Sequence, residues 1–577
     1  MTAGGKVLLE EFGFGSVTLL PGRFRTQVDE AAATYGALSN DSILKGFRAQ
    51  SGQDAPGDAM GGWCAANSAV IFGQLVSGMV RLGRATHNQA LVDKAISLHE
   101  GWLATLPADG NARMRLYDWE KLAQGLIDLH LLAQVESALP ALRATTGWAE
   151  RTFDRTRPLA NTHDFWGAGP GDTSEWYILP EAFYRIYQAT NDSVFKEFAD
   201  LWLYEDYWAP FAEGKAPETV EAVHAYSHVN AFSSAAMAYA VTGEKRYLDI
   251  CVHGYDFIQK TQVYATGAYG PDERLMPPNG SLGRSLECCA YHAEVPCGSW
   301  AGFKLSRYLM SFTGEARYGD WIETLLYNAI GSALPVQQDG TAFYYGDYRI
   351  SAGAKEYYWQ QWPCCSGTYI QDMAEYHNLV FFKDAAGLYV NLYLPSQLSW
   401  THGGQTITVT QETLYPERDS STLRFDMAEA AEFALRFRIP GWAKGAVIAV
   451  NGERVPVAAR PGDWAVIDRL WMPSDSVTIT IPMALRAVPI DEQHPDRVAM
   501  MYGPIVLAQD EACCRRPLTI APDTALETRL IKDGDGPRFR ITNAVPERHT
   551  RYLVPLYSFP KDWPYWVYFD LHAPSLY

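Results

Sequence analysis

Three related phrases run through the middle of this chain: residues 184–200 (YRIYQATNDSVFKEFAD), 237–252 (MAYAVTGEKRYLDICV) and 306–322 (SRYLMSFTGEARYGDWI). Each ends one amphipathic helix near Thr-Gly or Thr-Asn and starts another with Tyr or Phe on its inner face. This is the rhythm of stacked helical hairpins, units that cannot bury an apolar face alone. Apolar residues at three-to-four spacing extend the pattern outward. They predict helices over 65–82, 91–103, 119–135, 179–188, 195–204, 229–241, 247–258, 301–312 and 321–330. No regular strands intervene, which argues against a Rossmann sheet or a TIM barrel. The expected form is a toroid of about twelve helices, with a linear helical solenoid as the alternative.

Near residue 380 the period changes. The phrases GQTITVTQETLY (404–415), STLRFDMAEAAEFALRFRIPGW (421–442) and DSVTITIPM (475–483) alternate apolar and polar residues, and Asn451-Gly452 is a hairpin signal. The expected division is a first segment over 1–40 with β-like pieces packed on the C-terminal sheets, a helical catalytic domain over 41–382, a β-sandwich over 383–488, and a second β region or sandwich extension over 489–577. The fold class is therefore multidomain α+β.

The chain has 577 residues, is 47% apolar and carries a formal charge of -18. An acidic surface of this kind disfavours nucleic acid and anionic membranes as partners. No window of 18 apolar residues offers a membrane span. The start lacks an apolar signal core, so the expected setting is cytoplasmic, with export after signal removal left open. The 33 Tyr, 18 Trp and 24 Phe often stand in polar company, as in Tyr357-Tyr358-Trp359-Gln360-Gln361-Trp362. Such rings suit the faces of sugars as well as ordinary packing.

Nine cysteines form no disulfide framework: the number is odd, and six stand in adjacent pairs, which bridge each other only with strain. Glu294-Val295-Pro296-Cys297 and, far along the chain, Trp362-Pro363-Cys364-Cys365 together offer three thiols and a carboxylate, enough to close a tetrahedral Zn2+ site. A metal-held thiolate can attack an anomeric carbon if a separate acid protonates the leaving group. Glu273, in the Gly/Pro-rich loop 267–273 with Tyr269, is a candidate. The same spacing also permits a purely structural zinc. Glu287-Cys288-Cys289 with His292 forms a rival cluster, while Cys513-Cys514 reads as structural.

The chain resembles the β-L-arabinofuranosidase-like glycoside hydrolases. The matching phrases run in family order: HVNAFSSAAMAYAVTGEKRYLDI, YATGAYGPDERL, EVPCGSWAGFKLSRYLMSFTGEARYGDWIETLLYNAI, WPCCSGTYIQDMAEYHNLVFF, GLYVNLYLPSQLSW, ALRFRIPGWA and RVAMMYGPIVLA. The resemblance implies an (α/α)6 barrel followed by β-sandwich domains, a bound zinc and a retaining mechanism. It implies Cys364 as nucleophile and zinc ligand, Glu294, Cys297 and Cys365 as the other ligands, Glu273 as acid/base, and His228 facing the sugar. The family pattern is Glu-x-Cys; this chain has Glu-x-x-Cys, with Pro296 as the extra residue. Glu120 stands where relatives carry a histidine, and Trp176 falls near a polar binding position, so the chemistry is expected to be kept and the sugar pocket changed.

The expected activity is retaining exo-hydrolysis of a neutral oligosaccharide or glycoside. Alternatives are a helical-toroid polysaccharide lyase or sugar epimerase, and a non-catalytic zinc-containing carbohydrate-binding protein. Nothing in the residues decides whether the chain forms a homo-oligomer.

Overall fold

The computed structural model describes residues 4–153, 174–215, 217, 224–510, 517–520, 524–542 and 550–572. Cys513 and Cys514 lie outside them. Six helices pack in sequence into a closed ring: Ala69–Ala85, Leu116–Ala133, Leu179–Thr190, Ala225–Thr242, Val295–Thr313 and Cys364–Asn378, the last returning to the first. Outer helices lie against them, among them Gln89–Leu103, Ala138–Thr152, Ser193–Asp200 and Lys245–Thr261. This is an (α/α)6 barrel. The recurring Thr-Gly is explained by its termini. Gly243 and Gly314 end ring helices at φ 73° and 74°, and the non-glycine equivalent, Asn191, at 55°.

The ring helices are buried nearly all round, so their polar residues must pair with each other. Arg81 bonds Asp128 at 2.7 Å and Glu375 at 2.8 Å, Arg307 bonds Glu375 at 2.5 Å, and Lys304 bonds Glu181. These pairs tie together five of the six ring helices. Loss of one partner would strand a buried charge, a cost of about 3–5 kcal/mol.

Two sheets follow. Strands Glu10–Glu11, Phe381–Asp384, Gly387–Val390, Ala431–Arg438 and Trp464–Trp471 form one; Glu453–Arg454, Val447–Val450, Ser476–Thr480, Ser420–Asp426, Gln405–Thr413, Ser396–His402 and Val17–Leu19 form the other. Phe433 from the first meets Trp400 and Phe425 from the second at ring distances of 5.1 and 5.7 Å, so the sheets face each other as a sandwich. The two earliest strands thus pair with strands almost 400 residues later.

The segment 1–40 is more than β pieces. Helix Arg23–Ala37 packs on Cys364–Asn378 and Ala69–Ala85, so helical structure begins before residue 41. Its low amphipathic contrast hid it: Gln27 is buried, bonding Ile330 and Tyr376. The last region forms its own sheet, centred on Arg497–Tyr502 and Ile505–Asp510. It braces the barrel, where Asn328 donates to the Pro504 carbonyl and accepts from Val506 N–H. Among the described residues, no helix is long and apolar enough to cross a membrane.

Candidate active site

Glu294 precedes the ring helix Val295–Thr313, and Cys297 stands in its first turn. Three residues apart, the two side chains share a helix face. Pro296 is accommodated at the helix start, where no intrahelical N–H bond is needed. The extra residue in Glu-x-x-Cys therefore leaves the pair convergent. Cys364 and Cys365 open the neighbouring ring helix after Pro363, and the unpaired N–H groups of that first turn favour thiolate.

The four side chains meet although they come from distant parts of the chain. Cys297 Sγ lies 3.6 Å from Cys364 Sγ and 3.4 Å from Cys365 Sγ; Glu294 Oε1 lies 3.5 and 3.3 Å from the same two sulfurs. All four donor atoms fall within 4.8 Å of one another and all four residues are buried. A zinc tetrahedron with ordinary bond lengths has edges of about 3.8 Å between sulfurs and about 3.5 Å from sulfur to oxygen. The cluster therefore has the size of a zinc coordination shell.

Burial sets the protonation of most of the cluster. Burial pushes the Cys297 and Cys365 thiols well above their ordinary range and lifts the Glu294 carboxyl to about 7. Cys364 goes the other way. Burial opposes its ionisation, but bonds from Cys297 and Cys365, the Lys121 ammonium and a bond from Tyr344 together bring it well below the usual thiol value. Of the three thiols, Cys364 is the one poised as thiolate.

Glu273 reaches the cluster from a strained loop. Asp272 and Glu273 both sit in the left-handed region, at φ 48° and 61°. The Asp272 carboxylate holds this turn by accepting from Ala290 N–H at 3.0 Å and Tyr291 N–H at 3.1 Å. Glu273 accepts a bond from the Tyr345 hydroxyl. The Tyr344 hydroxyl lies 3.5 Å from Cys364 Sγ, and its ring meets that of Tyr345 at 4.5 Å. Burial raises the Glu273 carboxyl, while His224 and these phenols pull the other way. Tyr344 and Tyr345 come from strand Phe343–Gly346, which pairs with Ala293–Glu294 and so brings Glu273, Cys364 and Glu294 to one strand.

The sequence pointed to His228, but the structure brings His224, one turn earlier. His224 Nε2 is 3.3 Å from Glu294 and 3.7 Å from Glu273, while Nδ1 bonds Glu175 at 2.5 Å. Burial alone would lower its pKa, but Glu175 and Glu294 raise it well above the ordinary value, giving an imidazolium among three carboxylates. His228 is fully buried, bonded to the His224 carbonyl at 2.9 Å and Tyr177 at 3.1 Å; burial pushes its pKa down to about 3. Trp176 is also withdrawn, against Tyr204 and Trp202. Tyr269 supports the ligand turn from below, its hydroxyl donating to the Gly298 carbonyl at 3.3 Å. The rival cluster disperses. Cys288 is exposed, Glu287 pairs with Arg497 at 2.6 Å, and His292 accepts from Tyr348 N–H.

Glu120 remains a sugar-pocket candidate. It is buried, bonds Gln124 at 2.5 Å, and burial raises its carboxyl to about 7. An acid raised above its unfolded value of 4.5 costs stability once pH exceeds 4.5, and the loss is complete above the folded value of about 7. Glu120→Gln should therefore stabilise the protein at pH 8 relative to pH 5, by up to about 3 kcal/mol. Thermal melts of both proteins at the two pH values check this; an equal shift at both rejects it.

Two family models match the chain. The β-L-arabinofuranosidase GH127 catalytic domain covers residues 16–378 and the GH127 middle domain covers 387–483. The chain is similar over 98% of both lengths to a solved GH127 β-arabinofuranosidase, at 17% identity and TM-score 0.75. A GH127 β-L-arabinofuranosidase from Geobacillus stearothermophilus T6 is similar at 18% identity and TM-score 0.70, over 96% of this chain and 99% of that one. A third structure, described as a glycoside hydrolase, shares 18% identity and a TM-score of 0.71 over 98% of both chains. These structural likenesses establish the fold. No curated protein matches the chain.

Proposed function

The chain belongs to the β-L-arabinofuranosidase family GH127 and is a glycoside hydrolase; from this premise we propose that it releases a terminal β-L-arabinofuranose with retention, using Cys364 as nucleophile and Glu273 as acid/base. One observation carries the reading: Tyr344 and Tyr345, adjacent on one strand, bond Cys364 and Glu273 respectively. Neighbouring residues of one strand thus hold the proposed nucleophile and acid, an arrangement that suits double displacement.

In the first step the Cys364 sulfur forms a bond to the anomeric carbon as the glycosidic C–O bond breaks, and Glu273 gives its proton to the departing oxygen. In the second, Glu273 takes a proton from water, the water oxygen bonds the anomeric carbon from the vacated side, and the C–S bond breaks. Two inversions give net retention. Tyr345 orients the Glu273 carboxyl throughout, and Tyr344 meets the Cys364 sulfur. His224 supplies positive charge against Glu273 and Glu294, and Glu120 offers an acceptor to sugar hydroxyls. Glu294, Cys297, Cys364 and Cys365 would hold zinc, which would supply the positive charge needed to keep several buried thiols ionised.

The test combines metal content with turnover of p-nitrophenyl β-L-arabinofuranoside. About one zinc per chain is expected, with turnover lost on chelation and restored by zinc, and with a melting temperature lowered in the metal-free protein. Full turnover after complete removal of metal would reject the assignment. Metal without release of any terminal sugar would favour the non-catalytic carbohydrate-binding alternative.

A further inference from the structure

Lined by none of the cluster residues, but adjoining them through Tyr358, whose ring stacks on Tyr344, is a cavity of about 960 Å³. That is the upper end of the range of about 300–1,000 Å³ for pockets that enclose drug-sized ligands, and more than one terminal sugar needs. Its walls come from segments that precede two ring helices: Trp63 and Asn67 before Ala69–Ala85, and Tyr358 and Gln360 before Cys364–Asn378. Arg115 and Asp118 complete it, joined by two parallel bonds of 2.9 Å.

The cavity is wired to the nucleophile by ring contacts and backbone. The Tyr358 ring stacks on Tyr344 at 4.8 Å, and the Tyr344 hydroxyl reaches Cys364. On its other side Tyr358 meets Trp63 edge-on at 5.7 Å and exposed Trp359 at 3.9 Å. Trp63 N–H donates to the Gln361 carbonyl at 3.0 Å. That approach requires glycine beside it: a Cβ on Gly62, itself at φ 50°, would stand 2.1 Å from the Gln361 oxygen. Trp63 is thereby held by backbone to the turn that presents Cys364.

We propose that this cavity binds the leaving-group side of the substrate, as a neutral glycan chain of at least two sugar residues beyond the scissile bond. Trp63 and Tyr358 offer ring faces and edges for the C–H patches of sugar rings. The fixed Arg115–Asp118 pair, Asn67 and Gln360 offer donors and acceptors for hydroxyls. Apart from exposed Arg113, the charges in the lining are this one pair, which suits a neutral chain rather than a polyanion. The proposal rests on the glycosidase reading only for the direction of the chain, from Cys364 outward.

The test uses the zinc-loaded enzyme, a trisaccharide ending in β-L-arabinofuranose on two neutral pentoses, and p-nitrophenyl β-L-arabinofuranoside. Trp63→Ala should lower kcat/KM for the trisaccharide at least about tenfold more than for the aryl glycoside, and Gln360→Ala, at the exposed rim, should shift the ratio the same way by a smaller factor. Calorimetric titration with the two-pentose leaving group reads the cavity without turnover. Binding by the wild type that Trp63→Ala weakens upholds the site even if neither glycoside is cleaved, in which case the glycosidase reading falls alone. Cleavage of both glycosides with an unchanged ratio, or no binding of the disaccharide by the wild type, overturns the proposal.

Discussion

Cys364→Ala is expected to lower kcat on p-nitrophenyl β-L-arabinofuranoside by about 10⁴-fold or more, the scale seen when a covalent nucleophile is removed. Cys364 is also a candidate ligand, so loss of activity alone does not separate its roles. The neighbours make the separation. Cys365→Ala removes a ligand from the same helix turn, while Cys364 keeps its bond from Tyr344. If Cys364 is the nucleophile, Cys364→Ala stays inactive when zinc is supplied in excess, whereas Cys365→Ala regains measurable turnover. Mass spectrometry adds a direct readout: rapid quenching with an activated substrate should place one anhydropentose on the peptide containing Cys364. Wild-type turnover in Cys364→Ala would rule the nucleophile out.

Glu273→Gln should divide substrates by leaving group. A positioned general acid contributes about 10²–10⁴-fold, and an alcohol leaving group needs the whole of it. A nitrophenolate leaves largely unaided, so the first step with that substrate should be slowed far less. The pH profile carries the sign. Burial raises the Glu273 carboxyl, so its protonated form persists above the ordinary carboxyl range. In the wild type, kcat/KM for an alkyl glycoside should fall as pH rises through that value, and the glutamine variant should lack this basic limb. An unchanged limb would move the acid role to another group.

The ring was legible for a physical reason: helices buried nearly all round read as long apolar runs, and Thr-Gly marks their ends. The Glu294, Cys297, Cys364 and Cys365 cluster was legible as residue types, but Glu287, Cys288 and Cys289 offered the same groups, and the family phrases ranked the two. His224 was harder. It and His228 lie four residues apart on one helix face, and only depth in the barrel separates them: His224 caps the helix at the mouth. Glu175 and Tyr344 gave no signal, because their roles arise from contacts across 49 and 20 residues. Helix Arg23–Ala37 was missed because it packs through buried Gln27 as well as apolar groups.

The ring is completed by the helix that carries Cys364. Cys364–Asn378 is the sixth ring helix, set between the first and the fifth. During synthesis the first five can form only an open arc, with Cys297 and Glu294 on its free edge. Strand Val17–Leu19, made at the outset, must wait for Ser396–His402 to emerge. Long-range closures of this kind are slow and leave apolar surface exposed meanwhile. A nascent chain therefore cannot assemble the four-residue cluster early; a ribosome stalled before the double cysteine carries an arc that holds only Glu294 and Cys297 of it.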